Sequence, residues 1–296
     1  GRTGLQLQGD QFDVYLLRFF PRIFYRFLFA DFSRRHLFPV HHPPLRESES
    51  RRDFYIPTGF MVEVLYEDNH VIVVNKRPGE LVQPDRSGDA ALEETVKDYL
   101  KVKYAKPGAV FLGVVHRIDR PVGGAVLLAR TSKALVRLNE QLKQRRFRKI
   151  YWALVENRPA EAEGILRHYI VRNGKTNKSV AYSTLEAVPE WLRGEAKEAV
   201  LNYRLLASGE RYRLLEIELL TGRHHQIRCQ LAKIGCPIKG DLKYGASRSN
   251  RDGGISLWAR RLTFEHPVTH AMVTVEAPTP TDDRLWAYFE AAVAEK

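Results

Sequence analysis

The chain has 296 residues, enough to bury one large core or two smaller ones. Its 47 Lys and Arg outweigh 35 Asp and Glu, for a net charge of +12, a balance that favours a polyanionic partner, nucleic acid ahead of an anionic membrane. Two cysteines, Cys229 and Cys236, frame neither a CxxC nor a Cys/His ligand spacing, and no apolar run approaches the roughly 18 residues of a spanning helix, so a disulfide scaffold, a zinc module and a membrane-spanning protein all drop out.

Residues 1–60 differ from the rest. They hold ten of the fourteen Phe and no Lys, and all nine of their basic residues are Arg. In QFDVYLLRFFPRIFYRFLFA, Arg18, Arg22 and Arg26 recur at helical spacing beside aromatics, as on a membrane-surface segment. Pro21 would kink that helix, and Asp10, Asp13 and Asp31 argue against a transit peptide. The first Met is Met61, where a clean strand pattern begins. This break predicts that residues 1–60 stand outside the working domain, that Met61 is the natural start, and that residues 61–296 carry the activity. A peripheral membrane or partner helix is the rival reading of the segment.

From Met61, MVEVLYEDNHVIVVNKRPGE reads as two strands around Glu67-Asp68-Asn69, closed by Pro-Gly. DAALEETVKDYLKVKYAKPG is a helix, and AVLLAR a short buried strand. Thr131 or Ser132 caps the next helix, SKALVRLNEQLKQRR, whose last turn carries cations as the helix dipole prefers. KIYWALVE is a strand, and LNYRLLASGERYRLLEIELLTG a hairpin. RHHQIRCQLAKIG is a helix that Arg223 opens and Gly235 stops, and LWARRLTFEHPVTHAMVTVEAP a final strand pair. Strands outnumber helices and there is no regular βαβ rhythm, so an α+β fold is expected rather than a parallel doubly wound sheet. No Walker glycines, no GxGxxG after a strand and no HExxH are present.

Four polar clusters interrupt this pattern: VVNKRPGELVQPD, HRID, the Tyr151-Trp152 pair, and LLTGRHHQIR. Pro121 biases Arg120 towards extended backbone, which places Asp119 just off a strand. If the Arg-bearing loops meet, Asp119 gains a guanidinium partner that complements its charge, and a carboxylate so held can attack a sugar carbon. No second acid stands nearby in sequence, so a lone Asp suits a glycosidic bond whose leaving group needs little protonation, such as a nucleobase. Of Arg223 and Arg228, one holds the Asp and the other grips phosphate; the spacing does not say which. Tyr151 is able to stack on a flipped base. His224 and His225 lack Cys or acid at ligand spacing, and no metal is expected.

Together these clusters carry a resemblance. VVNKRPGELVQPD, HRIDRPVGGAVLLARTSKAL, YWALVE, LLTGRHHQIRCQLAKIGCPIKGDLKYG and LWARRLTFEHP resemble, in order and spacing, the motifs of the RluA-type RNA pseudouridine synthases, over roughly residues 61–280. The resemblance implies a mixed, mostly antiparallel sheet in two subdomains with the catalytic cleft between them, and no metal or organic cofactor. It implies that Asp119 is catalytic, that Arg223 pairs with it, that Tyr151 lines the pocket against the base, and that Arg117 belongs to an element that intrudes into RNA. Departures at Val122-Gly123, Gln230 and Cys236 bear on substrate preference more than on chemistry, and residues 1–60 do not look like the RNA-binding module that many members carry.

The reaction expected is isomerisation of specific uridines of ribosomal or transfer RNA, with base flipping at a cost of about a few kcal/mol. The remaining candidate RNA contacts are Asn75, Lys76, His116, Arg120, His225 and Arg228 in the clusters, and Lys143, Arg145, Arg146 and Arg148, with Lys149, after the second helix. A monomer in the cytoplasm, acting on structured RNA away from membranes, completes the expectation. A non-catalytic RNA-binding relative or RNA chaperone would share the charge without needing Asp119; a carbohydrate hydrolase would want a second placed acid.

Overall fold

The structure is a computed structural model and describes residues 52–55 and 61–295. Apart from one short strand, the expectation for residues 1–60 lies outside the described residues.

Alternating apolar residues build the first strands. β2 (Met61–Glu67) and β3 (Val71–Lys76) pair antiparallel across a turn that Asp68 fixes by accepting the N–H groups of His70 (2.7 Å) and Val71 (2.9 Å). β1 (Arg52–Tyr55) adds to β2 as an edge strand. β4 (Gly113–Val114) and β5 (Gly123–Ala129) follow α1 (Leu92–Lys103), and β5 pairs with β3 and β4. Every residue of β5 is buried, as a central strand requires. α2 (Ser132–Lys143) is capped by Thr131, whose hydroxyl accepts the Ala134 N–H at 3.1 Å.

The second half is β6 (Arg148–Val155), β7 (Glu163–Asn173), β8 (Lys178–Tyr182), β9 (Lys197–Ser208), β10 (Arg213–Leu219), α3 (Gln226–Lys233), β11 (Leu257–Glu265), β12 (Met272–Glu276) and α4 (Arg284–Ala294). The strands of the described residues form one 12-stranded sheet in the order β1-β2-β3-β5-β11-β6-β10-β9-β7-β8, with β4 on β5 and β12 on β11. The fold is thus the expected α+β arrangement with a mixed, mostly antiparallel sheet. α1 and α3 pack on one face, through Val96, Leu100, Ile227 and Leu231, and α2 and α4 on the other, through Leu138, Trp286 and Phe289.

The two halves of the sheet meet at β5 and β11, the one parallel strand pair among the described residues, where Gly123 faces Trp258 and Gly124 faces Ala259. A Cβ on Gly123 would lie 2.0 Å from the Trp258 ring, and one on Gly124, whose φ is +112°, 2.4 Å from the Ala259 carbonyl oxygen. Only glycine admits this approach. Asp119 lies four residues before this junction.

Two expectations change. α3 starts at Gln226, so Arg223 stands in a turn ahead of it, and His225 enters the helix with φ +51°. The β7–β8 hairpin and α4 have no counterpart in the elements read from sequence. Among the described residues no helix is long and apolar enough to cross a membrane.

Candidate active site

The loop between β4 and β5 carries Asp119, and its shape depends on a buried cation. The Lys76 side chain is fully buried, and its Nζ donates to the carbonyls of Arg77 (2.8 Å), Arg120 (3.0 Å) and Val122 (2.7 Å). Three protons thus meet three acceptors, leaving the ammonium satisfied without water. The Gly79 N–H donates to the Arg120 carbonyl as well (2.8 Å), and the Val122 N–H to the Asp119 carbonyl (2.9 Å). The chain turns at Asp119-Arg120-Pro121 and leaves the Asp119 carboxylate 30% exposed. Burial holds the Lys76 ammonium down at about 8.

The partner of Asp119 comes from α3, and it is Arg228. Its Nη1 donates to Asp119 Oδ2 at 3.2 Å, while its Nε and Nη2 form a fork onto Asp241, at 2.7 and 2.8 Å. Asp241 is 1% exposed and anchors the guanidinium so that its third edge faces Asp119. This corrects two assignments. Arg223 does not pair with Asp119; its Nε donates to the Glu198 carbonyl at 2.9 Å, although the side chain still lines the pocket. Nor is Arg228 free to contact RNA. A fork on one acid leaves an N–H edge for the other, but nothing in the local sequence ties Arg228 to Asp241, thirteen residues on.

Tyr151, on β6, faces the same pocket. Its ring is buried and its hydroxyl has no protein partner among the described residues. Burial, and after it the negative Asp119, push the phenol up, so Tyr151 is neutral at working pH. His225 completes the rim. Its Nδ1 lies 2.8 Å from the Tyr244 hydroxyl, its Nε2 3.7 Å from Asp119 Oδ2, and its ring stacks on His224 at 3.8 Å. Burial and the Arg228 charge push its pKa down to about 2, so it meets Asp119 as a neutral ring. The Tyr244 hydroxyl also accepts the Ser179 N–H (2.8 Å), which ties the His225 ring to β8.

These groups line one cavity of about 1120 Å³. Its wall carries nine Lys or Arg side chains against two carboxylates, those of Asp85 and Asp119. Arg117, Lys143 and Arg145 are exposed there with no protein partner among the described residues, as groups meant for phosphate would be. Lys149 stands deeper in the same wall, its pKa lowered by burial. Arg120 lines the pocket too but is engaged, with Nε on the Gly79 carbonyl and Nη2 on Asp89 at 2.6 Å.

The other expected contacts are placed elsewhere. Asn75 donates to Glu63 Oε2 (2.8 Å) and the Pro278 carbonyl (3.3 Å), away from the pocket, and Lys76 is consumed by the loop it supports. His116 lines the pocket, but its Nε2 accepts the Leu127 N–H at 3.1 Å, and burial pushes its pKa down to about 3; it is a neutral strut on β5. Arg146 pairs with Glu265 (2.9 Å) and Arg148 with Glu218 (2.7 Å), both outside the cavity wall. Among the described residues no cluster of His, Cys, Asp or Glu could hold a metal ion.

A cation-walled cavity that sets the Asp119 carboxylate beside a neutral aromatic ring and an anchored guanidinium has the chemistry to hold one nucleotide of a larger polyanion. Comparison with known proteins agrees. The family model described as RNA pseudouridylate synthase matches residues 70–233. An uncharacterized RNA pseudouridine synthase of Bacillus subtilis, YhcT, is 31% identical over 239 residues, covering 79% of this chain and 74% of that protein. The ribosomal large subunit pseudouridine synthase D of Xylella fastidiosa is 33% identical over 241 residues, covering 77% and 69%. The solved structure of human RNA pseudouridylate synthase domain containing 4 superposes with a TM-score of 0.61 at 22% identity, over 78% of this chain and 92% of that one, a likeness of fold. The chain belongs to the RNA pseudouridylate synthase family, of the RluA type, and is an RNA pseudouridine synthase.

Proposed function

We propose that this enzyme isomerises specific uridines of ribosomal or transfer RNA by an Asp119-dependent reaction that needs no cofactor. The observation that carries the reading is the Asp119 carboxylate, held by Arg228 at 3.2 Å and facing the cation-walled cavity beside Tyr151. The target nucleotide leaves its stack and enters the cavity, with Arg117 at the opening and Lys143 and Arg145 on flanking phosphates. Tyr151 supplies a flat neutral wall for the uracil. Asp119 acts at the ribose and triggers cleavage of the bond between C1′ and N1. The freed base turns within the pocket and rejoins through C5; C5 gives up its proton and N1, released from the sugar, takes one up, so uridine and product have the same composition. His225 and Arg228 act on Asp119 and fix its aim. The working domain is residues 61–296, with β1 as an added edge strand. The enzyme acts as a monomer in the cytoplasm, a setting that suits its RNA substrate and its two unpaired, buried cysteines.

The test uses unmodified large-subunit ribosomal RNA and transfer RNA transcripts, with pseudouridine mapped at nucleotide resolution. The full chain introduces pseudouridine at discrete positions. The Asp119→Asn variant binds the same RNA with affinity within a few-fold of wild type and makes none. Pseudouridine formed at the wild-type rate by Asp119→Asn would overturn the mechanism, and RNA binding with no turnover by the wild type would favour a non-catalytic binder.

A further inference from the structure

The pocket has a second basic flank, and it is the β7–β8 hairpin. From Gly164 to Leu185 the chain has four Lys or Arg and no Asp or Glu. Arg167 is paired with Glu198. The other three, Arg172, Lys175 and Lys178, sit at the hairpin's turn with no carboxylate partner among the described residues. Arg172 and Asn177 line the same cavity as Asp119.

The turn is well built. Asn173 Oδ1 accepts the N–H groups of Lys175 (3.0 Å) and Thr176 (3.2 Å), Asn177 takes a left-handed φ of +48°, and Arg172 donates to Asn177 Oδ1 at 3.0 Å. Lys243 donates to the Asn177 carbonyl at 3.1 Å and holds the tip on the rim of the cavity. Behind it, the Ser179 hydroxyl donates to the His224 carbonyl (2.8 Å), and its N–H to the Tyr244 hydroxyl that orients His225. The tip is therefore fixed to the turn that leads into α3 and Arg228. In the sheet, β10 and β9 separate this hairpin from β6 and the α2–β6 turn with Lys143 and Arg145.

Unpaired cations held together on an ordered turn repel one another, and a polyanion bound across them relieves the repulsion. What the turn offers is three cations with no carboxylate partner among the described residues, and the chemistry they fit is phosphate. We propose that the β7–β8 tip is a second grip on the RNA sugar–phosphate backbone, so that the target nucleotide enters the cavity between two basic arms. This rests on the RNA-modifying function proposed above, and it adds an arm that none of the sequence motifs marks.

The experiment measures binding of a fluorescently labelled stem–loop RNA to the full chain from 50 to 300 mM salt, which requires no turnover. Lys175→Gln with Lys178→Gln lowers the slope of log affinity against log salt by about 1.4 to 1.8, the share of two phosphate contacts, and weakens binding by about tenfold at 100 mM. Lys101→Gln with Lys106→Gln, at the far end of α1, leaves the slope as in wild type. If the double hairpin variant melts below wild type, Lys175→Gln alone, an exposed side chain without a partner, still lowers the slope by about 0.7 to 0.9. A slope and affinity equal to wild type in both hairpin variants would overturn the proposal. Wild-type protein that binds with the expected slope yet forms no pseudouridine would instead count against the function.

Discussion

At the scale of the residue, the site turns on how one guanidinium is shared. Arg228 has enough N–H groups to fork onto Asp241 and still reach Asp119, and a lysine has neither the fork nor the reach. Arg228→Lys is therefore expected to lower kcat by at least about 100-fold through misplacement of the acid. It also destabilises the fold by about 3 to 5 kcal/mol, because it strips the fork from a buried Asp241 carboxylate. Arg223→Lys leaves stability within about 0.5 kcal/mol, since its one bond to the Glu198 carbonyl lies near the surface. Urea unfolding and single-turnover assays on the two variants separate the roles, and a larger kcat loss at Arg223 than at Arg228 would reverse the assignment. Asp119 itself was legible because an acid amid cations before a buried run had no packing reason to be there. The choice between Arg223 and Arg228 was not, because it depends on where α3 starts. The helix begins at Gln226, which leaves Arg223 on a turn and puts Arg228 within the first turn of helix. Lys76 misled for a related reason: a cation in a polar motif reads as an RNA contact until three carbonyls are seen to close around it.

At the scale of the element, the strands and helices with strong alternation or caps were readable. Asp68 marks the β2–β3 turn, Thr131 caps α2, and Gly235 follows α3 with φ +76°. The β7–β8 hairpin was hidden because β7 puts Ile165 out to solvent and buries His168 against Gln230, which blurs the apolar alternation. The junction of the sheet was hidden as well, since a parallel pair two residues long has no sequence signal of its own. Its glycines can be tested. Gly124→Ala places a Cβ where φ is +112° and the Ala259 backbone stands 2.4 Å away. Backbone strain and overpacking together cost about 2 to 6 kcal/mol. The displaced β5 carries the Asp119 loop with it, so activity falls further than stability alone explains. Thermal melting and turnover at a temperature where the variant is still folded check this, and a variant as stable as wild type would show that the junction yields.

At the scale of the whole molecule, the net charge of +12 is spent unevenly. Many surface arginines are neutralised locally, by Glu218, Glu216 or Glu276, while the cavity wall keeps its excess. Composition alone therefore pointed to a polyanion, but only the fold shows which cations remain for it. Burial first, and the cations of that wall after it, keep two nearby histidines neutral, and this has a consequence for stability against pH. His116 and His225, with pKa values of about 3 and about 2 in the folded protein, take up protons near pH 6.5 once unfolded. Between those values the unfolded chain binds more protons than the folded one, so stability rises with pH and is lost as pH falls below about 6.5. Two protons taken up on unfolding correspond to a slope of about 2.7 kcal/mol per pH unit between pH 6 and about 5, above the range where most carboxylates begin to protonate. Lys76 adds the same sign on the alkaline side, since its folded value near 8 lies below the ordinary lysine value of 10.5. Urea midpoints measured at half-unit steps from pH 7 to 4.5 should fall steadily. His116→Gln, which leaves an amide to accept the Leu127 N–H, should remove about one proton's share of that slope. A variant whose acid profile runs parallel to wild type would mean that His116 protonates in the fold, and that the ring is no neutral strut beneath the Asp119 loop.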